Sequence, residues 1–234
     1  MTEKEAPYAL CFDVLKRLDK ASILEDMTLV GSWCVYFYKQ HYAKGETAFS
    51  LRTTDIYFLI PIPPKIRHPV DIQKLLADLG FRESFSSHGF IRLVHPEFTI
   101  DFLVPWRGRH EGKPYPIKNL GISATPLRFV DLLLSRQIHI RAEGLSLTLP
   151  HPACFAFQKL IISGRRQDAN KQAKDRAQAF DVLDMVIHRG EQSIAKLVFQ
   201  SLPPKWRKTI LKEIKRGPSS PGSRIAELKA ELTS

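Results

Sequence analysis

The chain has 234 residues, 44% hydrophobic and 25% charged, a composition that supplies a buried core and excludes global disorder. Its three cysteines, Cys11, Cys34 and Cys154, form no CxxC pair; this excludes a zinc knuckle and a disulfide framework and predicts reduced thiols in a cytoplasmic protein. Net charge is +11, which favours anionic partners, while the acidic N-terminus and the lack of a spanning-length apolar run predict neither a secretory leader nor a membrane helix.

Apolar residues at Leu10, Val14, Leu15 and Leu18 recur at helical spacing and predict a helix over Ala6–Asp26. Met27–Val30 reads as a short strand running into Gly31-Ser32, and Trp33–Tyr42 as an aromatic-rich helix. A polar connection containing Gly45 leads to Asp55–Pro61, a dense β-former run ended by prolines. The prolines of IPPKIRHP make that stretch a loop, and Asp71–Leu79 is a helix stopped by Gly80. Three strands follow, Phe81–Ser84, Phe90–His95 and Phe98–Pro105, with HPE as the tight turn between the last two. Gly108–Asn119 reads as a loop and Pro126–Arg136 as a helix opened by proline. Ile138–Ala142 and Leu145–Leu149 form a hairpin around Glu143-Gly144.

From His151 onward the pattern is helical, over Pro152–Ser163, Asp168–His188, Glu191–Ser201 and Pro204–Lys215. GPSSPG then marks a joint before a polar helix, Ser223–Leu232. A mixed α/β part (1–150), a basic helical part (151–216) and a joint with a terminal helix (217–234) are therefore expected. The excess positive charge gathers after Ile161, in GRR, KQAKDR and KWRKTILKEIKR. Such runs are either a solvated face or a contact for phosphates.

Three features of the α/β part carry chemistry together. Gly31-Ser32 stands where a strand gives way to a helix, and a helix start offers free N–H groups and a positive dipole end to a phosphate. Asp55 and Asp101 lie in strands otherwise made of apolar residues. Burying a bare carboxylate is costly, so such residues are expected to face a cation or a donor. By the period of two, Tyr57 shares a strand face with Asp55. Taken singly, each feature is equally a turn, a cap or a solvent-facing acid. The histidines show no metal-ligand spacing, and neither a nucleophile elbow nor a P-loop occurs.

LVGSW, TTDIYFLI and TIDFLV, in this order, resemble the motifs of the DNA polymerase β-like nucleotidyltransferase superfamily. The likeness is closest to bacterial proteins akin to AbiEii-type and MNT-type toxin–antitoxin components, and extends through HPACFAFQKLIISGRRQDANKQAKDRAQAFDVL to cover roughly residues 25–185. It implies a nucleotidyltransferase palm, with a mixed sheet flanked by helices, followed by an all-helical domain. It further implies a nucleoside triphosphate bound with Mg²⁺ and a nucleotidyl group passed to a hydroxyl on RNA, protein or a small molecule. Asp55 and Asp101 would hold metal, Gly31 and Ser32 would grip phosphates, and Lys159 and Lys174 would offset triphosphate charge.

The chain departs from this pattern at position 57, where a second metal-binding Asp should stand and Tyr57 is found. A phenol with a pKa of about 10 is neutral at pH 7 and a poor Mg²⁺ ligand. The alternatives are a nucleotide- or RNA-binding module that has lost catalysis, an antitoxin-like partner protein, or an enzyme that uses a single metal held by Asp55 and Asp101 or recruits another acid such as Glu46 or Glu97. By spacing alone, Lys159 is a lysine laid along an apolar helix face, and Lys171 with Asp175 is an ordinary i,i+4 pair.

Overall fold

The computed structural model describes residues 6–42, 53–85, 89–108, 113–217 and 224–233. The connection around Gly45, with Glu46, and most of GPSSPG lie outside the described residues. The chain divides into two compact units, Met1–Leu149 and Pro150–Ser234.

The first unit opens with α1 (Ala6–Lys20), shorter than its apolar spacing predicts. Ser22 takes φ 56° and the Ile23 N–H donates back to Leu18 O at 3.1 Å, a return that ends the helix while still burying Ile23. Next come β1 (Thr28–Val30), α2 (Trp33–Tyr42) and β2 (Asp55–Leu59). Asp71 caps α3 (Ile72–Leu76), accepting from the Lys74 N–H, and a 3-10 turn at Ala77–Leu79 closes on Gly80 at φ 88°. Strands β3 (Arg82–Phe85), β4 (Ile91–His95) and β5 (Phe98–Pro105) follow.

The next segment departs from expectation. The stretch read as a loop to Asn119 contains β6 (Tyr115–Ile117), and the helix read from Pro126 is instead the end of β7 (Ile122–Leu127). Pro126 lies opposite Val104 in a parallel pairing, and only a five-residue helix, α4 (Asp131–Ser135), follows a positive φ of 70° at Phe129. Proline's fixed φ suits both a helix start and an extended chain, so the local signal is ambiguous and the pairing with β5 decides. The hairpin of β8 (Gln137–Ala142) and β9 (Leu145–Pro150) turns through Glu143 at φ 51° and Gly144 at φ 79°, as a two-residue primed turn requires.

The main sheet runs β1-β2-β5-β4-β3, with β2 parallel to β5 and β4 antiparallel to it. The C-terminal half of β5 also pairs with β7, and β7 with β6. One sheet face is apolar. Phe58 stacks on Phe102 with centroids 5.8 Å apart, Ile56, Ile100 and Leu93 are buried, and Trp33 of α2 packs edge-on against Phe98. This leaves the polar members of β2, β5 and β4 on the opposite face.

The second unit is helical: α5 (Pro152–Ser163), α6 (Ala169–His188), α7 (Gln192–Ser201), α8 (Pro204–Ile214) and α9 (Arg224–Thr233). Helix α5 is apolar almost all round and is buried against α6, α7 and α8, as such a helix must be. Asp168 caps α6 by accepting from the Asn170 and Lys171 N–H groups. No helix among the described residues is long and apolar enough to cross a membrane.

Candidate functional site

Strand register assembles the site. Tyr57 of β2 lies opposite Asp101 of β5, and Asp101 lies opposite Arg92 of β4. Val30 of β1 extends the row beyond Tyr57, and Ser84 of β3 extends it beyond Arg92. Partners in register share a sheet face, so Val30, Tyr57, Asp101, Arg92 and Ser84 form one line across it. Asp55 lies on the same face, two residues from Tyr57 and opposite Thr99.

Asp101 is 5% exposed. Its two oxygens accept from Arg92, Oδ1 from Nε at 2.9 Å and Oδ2 from Nη2 at 2.8 Å. This is the bidentate fork that guanidinium and carboxylate form best. Burial pushes the Asp101 carboxyl above its usual range, Arg92 pulls it back in part, and nearby Asp55 adds to the rise. The Arg92 guanidinium is correspondingly held more firmly protonated, chiefly by its bonds to Asp101. Sequence reasoning overlooked Arg92, although the HPE turn carried the signal. His95 lies opposite Phe98 across that turn, and counting three residues back along each strand brings Arg92 opposite Asp101.

The Gly31-Ser32 turn sits at the end of the same row. Gly31 adopts φ 84°, and a Cβ there would lie 2.8 Å from Cδ2 of Tyr57. Glycine is thus required twice, for its backbone and for the ring beside it. Tyr57 faces the site, as the period of two implies, and its ring occupies the space next to Gly31. Ser32 is 9% exposed at the mouth of α2, where the Cys34 and Val35 N–H groups donate to Gly31 O and Ser32 O.

Magnesium is the cofactor the resemblance implies, and the residues present do not fit a two-metal centre. Position 57 offers a phenol, and both oxygens of Asp101 are engaged by a cation already. Glu97, the alternative acid, is exposed in the turn between β4 and β5. Among the described residues, no group of three or more His, Cys, Asp and Glu is placed to hold a metal ion.

In the helical unit Lys159 is 9% exposed and donates from Nζ to Asp175 Oδ1 at 2.7 Å. Arg166 Nε donates to the other oxygen of Asp175 at 3.0 Å. Asp175 is therefore a buried acid shared by two cations and not the surface partner of Lys171 that i,i+4 spacing suggests. Lys174, the residue before Asp175 on α6, is exposed. A second buried acid, Glu213 of α8, accepts from Arg176 at 3.2 Å and Arg216 at 2.8 Å.

No curated protein sequence matches the chain. Solved structures similar to it include two of low sequence identity. An antigenic nucleotidyltransferase-like protein from Paracoccidioides brasiliensis is 11% identical with a TM-score of 0.49, over 98% of this chain and 94% of that one. The antibiotic-resistance factor ANT(2'')-Ia is 10% identical with a TM-score of 0.40, over 82% of this chain and 95% of that one. A family model described as Nucleotidyltransferase matches residues 10–202, which span the row across the sheet and the buried Lys159–Asp175 pair, and the chain belongs to that nucleotidyltransferase family.

Proposed function

We propose that the palm binds a nucleoside triphosphate without assembling a two-metal centre, and that nucleotidyl transfer is correspondingly weak or lost. The observation that carries this reading is Asp101, held between Tyr57 on one side and the Arg92 fork on the other. Family membership supports a nucleotide as the ligand, and the Gly31-Ser32 turn immediately before α2 supports contact with its phosphates. Calorimetric titration of ATP, GTP, CTP and UTP, each with Mg²⁺ and with a chelator, tests it. Affinity for the preferred nucleotide is expected to change by less than about threefold when Mg²⁺ is removed. Binding that needs both Mg²⁺ and Asp101, lost in Asp101→Ala, would overturn this reading. Metal-dependent transfer to a hydroxyl acceptor would then replace it, which Asp55 and Asp101 on adjacent strands support.

A second reading, binding of RNA, is favoured by the helical unit. Residues 150–234 carry sixteen Lys and Arg against eight Asp and Glu. On α8 and just beyond it, Lys205, Lys208, Lys212 and Lys215 are exposed and recur at spacings of three and four. They form a stripe about 15 Å long at 1.5 Å per residue. The acid on that helix, Glu213, is buried and paired inward. Replacing the four lysines with glutamine is expected to flatten the salt dependence of single-stranded RNA binding. The slope of log K against log salt should fall by about 3, close to 0.7 per lost phosphate contact. An unchanged slope would exclude this face, and a protein partner of the antitoxin-like kind would then be sought.

A further inference from the structure

We propose that Arg92 is the resident counter-ion of this palm, standing where a divalent cation would otherwise meet Asp101, so that the wild-type protein does not bind Mg²⁺ or Mn²⁺ there. The inference rests on the reading above and goes beyond it by assigning the role to one residue and naming the change that would reverse it.

The geometry is asymmetric. The side chain of Asp101 is 7% exposed and that of Arg92 is 51% exposed. The acid belongs to the floor of the sheet, and the guanidinium reaches over it from the neighbouring strand on the solvent side. Both carboxylate oxygens are used, at 2.9 and 2.8 Å, and the guanidinium keeps its charge at every accessible pH. Mg²⁺ demands oxygens at about 2.0–2.1 Å in octahedral array and gives up its waters reluctantly. Meeting Asp101, it would have to displace a fixed positive charge from the same oxygens. Tyr57 flanks Asp101 on the other side with a neutral phenol, its ring filling the space beside Gly31. Asp55 lies two residues from Tyr57 along the same strand. Arg92 makes no part of the buried apolar face, so its removal uncovers the carboxylate without opening the core.

The test is Mn²⁺ binding without any nucleotide, followed by electron paramagnetic resonance. The samples are the full-length wild type, Asp101→Asn, the double variant Tyr57→Asp/Arg92→Gln, and that variant carrying Asp101→Asn in addition. Circular dichroism verifies folding. Wild type and Asp101→Asn are expected to bind Mn²⁺ equally weakly. The double variant should bind at least about tenfold tighter, and Asp101→Asn should abolish the gain. Wild-type binding that Asp101→Asn removes, or a folded double variant that binds no tighter than wild type, would overturn the proposal. If the double variant fails to fold, wild type against Asp101→Asn decides: equal binding sustains the proposal and a loss ends it. Because no nucleotide is present, failure here is separate from failure of the nucleotide-binding reading.

Discussion

Replacing Asp175 with alanine is expected to destabilise the helical unit by about 3–5 kcal/mol, the range for removing one partner of a buried ion pair. Asp175 is 4% exposed and Lys159 is 9% exposed, with 2.7 Å between them. Without the carboxylate, the buried Lys159 ammonium, 5.6 Å from the centre of the Phe155 ring, loses its main counter-charge. Arg166 can turn outward into water, since its side chain is 43% exposed, but Lys159 has no such exit. The paired replacement Lys159→Met/Asp175→Leu should recover most of the loss, because an apolar pair of similar volume is often as stable as a buried ion pair. Urea denaturation followed by circular dichroism measures both. A loss below about 1 kcal/mol for Asp175→Ala would place the pair among ordinary surface bridges.

Gly31→Ala should cost about 2–4 kcal/mol, from two sources that a second substitution separates. An alanine at φ 84° carries backbone strain of about 1–2 kcal/mol wherever it sits. Its Cβ would also lie 2.8 Å from Cδ2 of Tyr57, so the ring must move. Tyr57→Ala in the same chain should relieve the clash and leave the strain. Denaturation midpoints of the two single variants and the double variant close a cycle, and a coupling near zero would show that the ring yields freely. Because α2 starts two residues later, the strained turn should also move the Ser32 hydroxyl and weaken nucleotide binding.

Much of the fold is legible in local pattern. The apolar run Asp55–Leu59 and the eight-residue strand Phe98–Pro105 announce themselves by β-formers. Helix ends are written in Asp71, Gly80 and Asp168, whose side chains or conformational freedom act within four residues. The polar face of the palm is also readable, since Asp55 and Tyr57 must lie on one side of β2. With the HPE turn fixing the register, even Arg92 opposite Asp101 follows once β4 and β5 are taken as a hairpin.

What the sequence by itself determined, then, is the set of elements, the faces of β2 and β5, and the residues available to the site. Beyond the β4–β5 hairpin, tertiary structure alone decided which of them meet. The parallel register of β2 with β5 spans a crossover of about forty residues and sets Tyr57 beside Asp101, a match that no local rule fixes. Pairing of β7 with β5 likewise overrode the helix that Pro126 suggested. Packing of α5 on α6 drew Asp175 inward to Lys159 and away from the surface pairing with Lys171. Periodicity and capping are local and survive in one sequence, whereas register and burial depend on residues far apart, whose encounter is settled by the whole core at once.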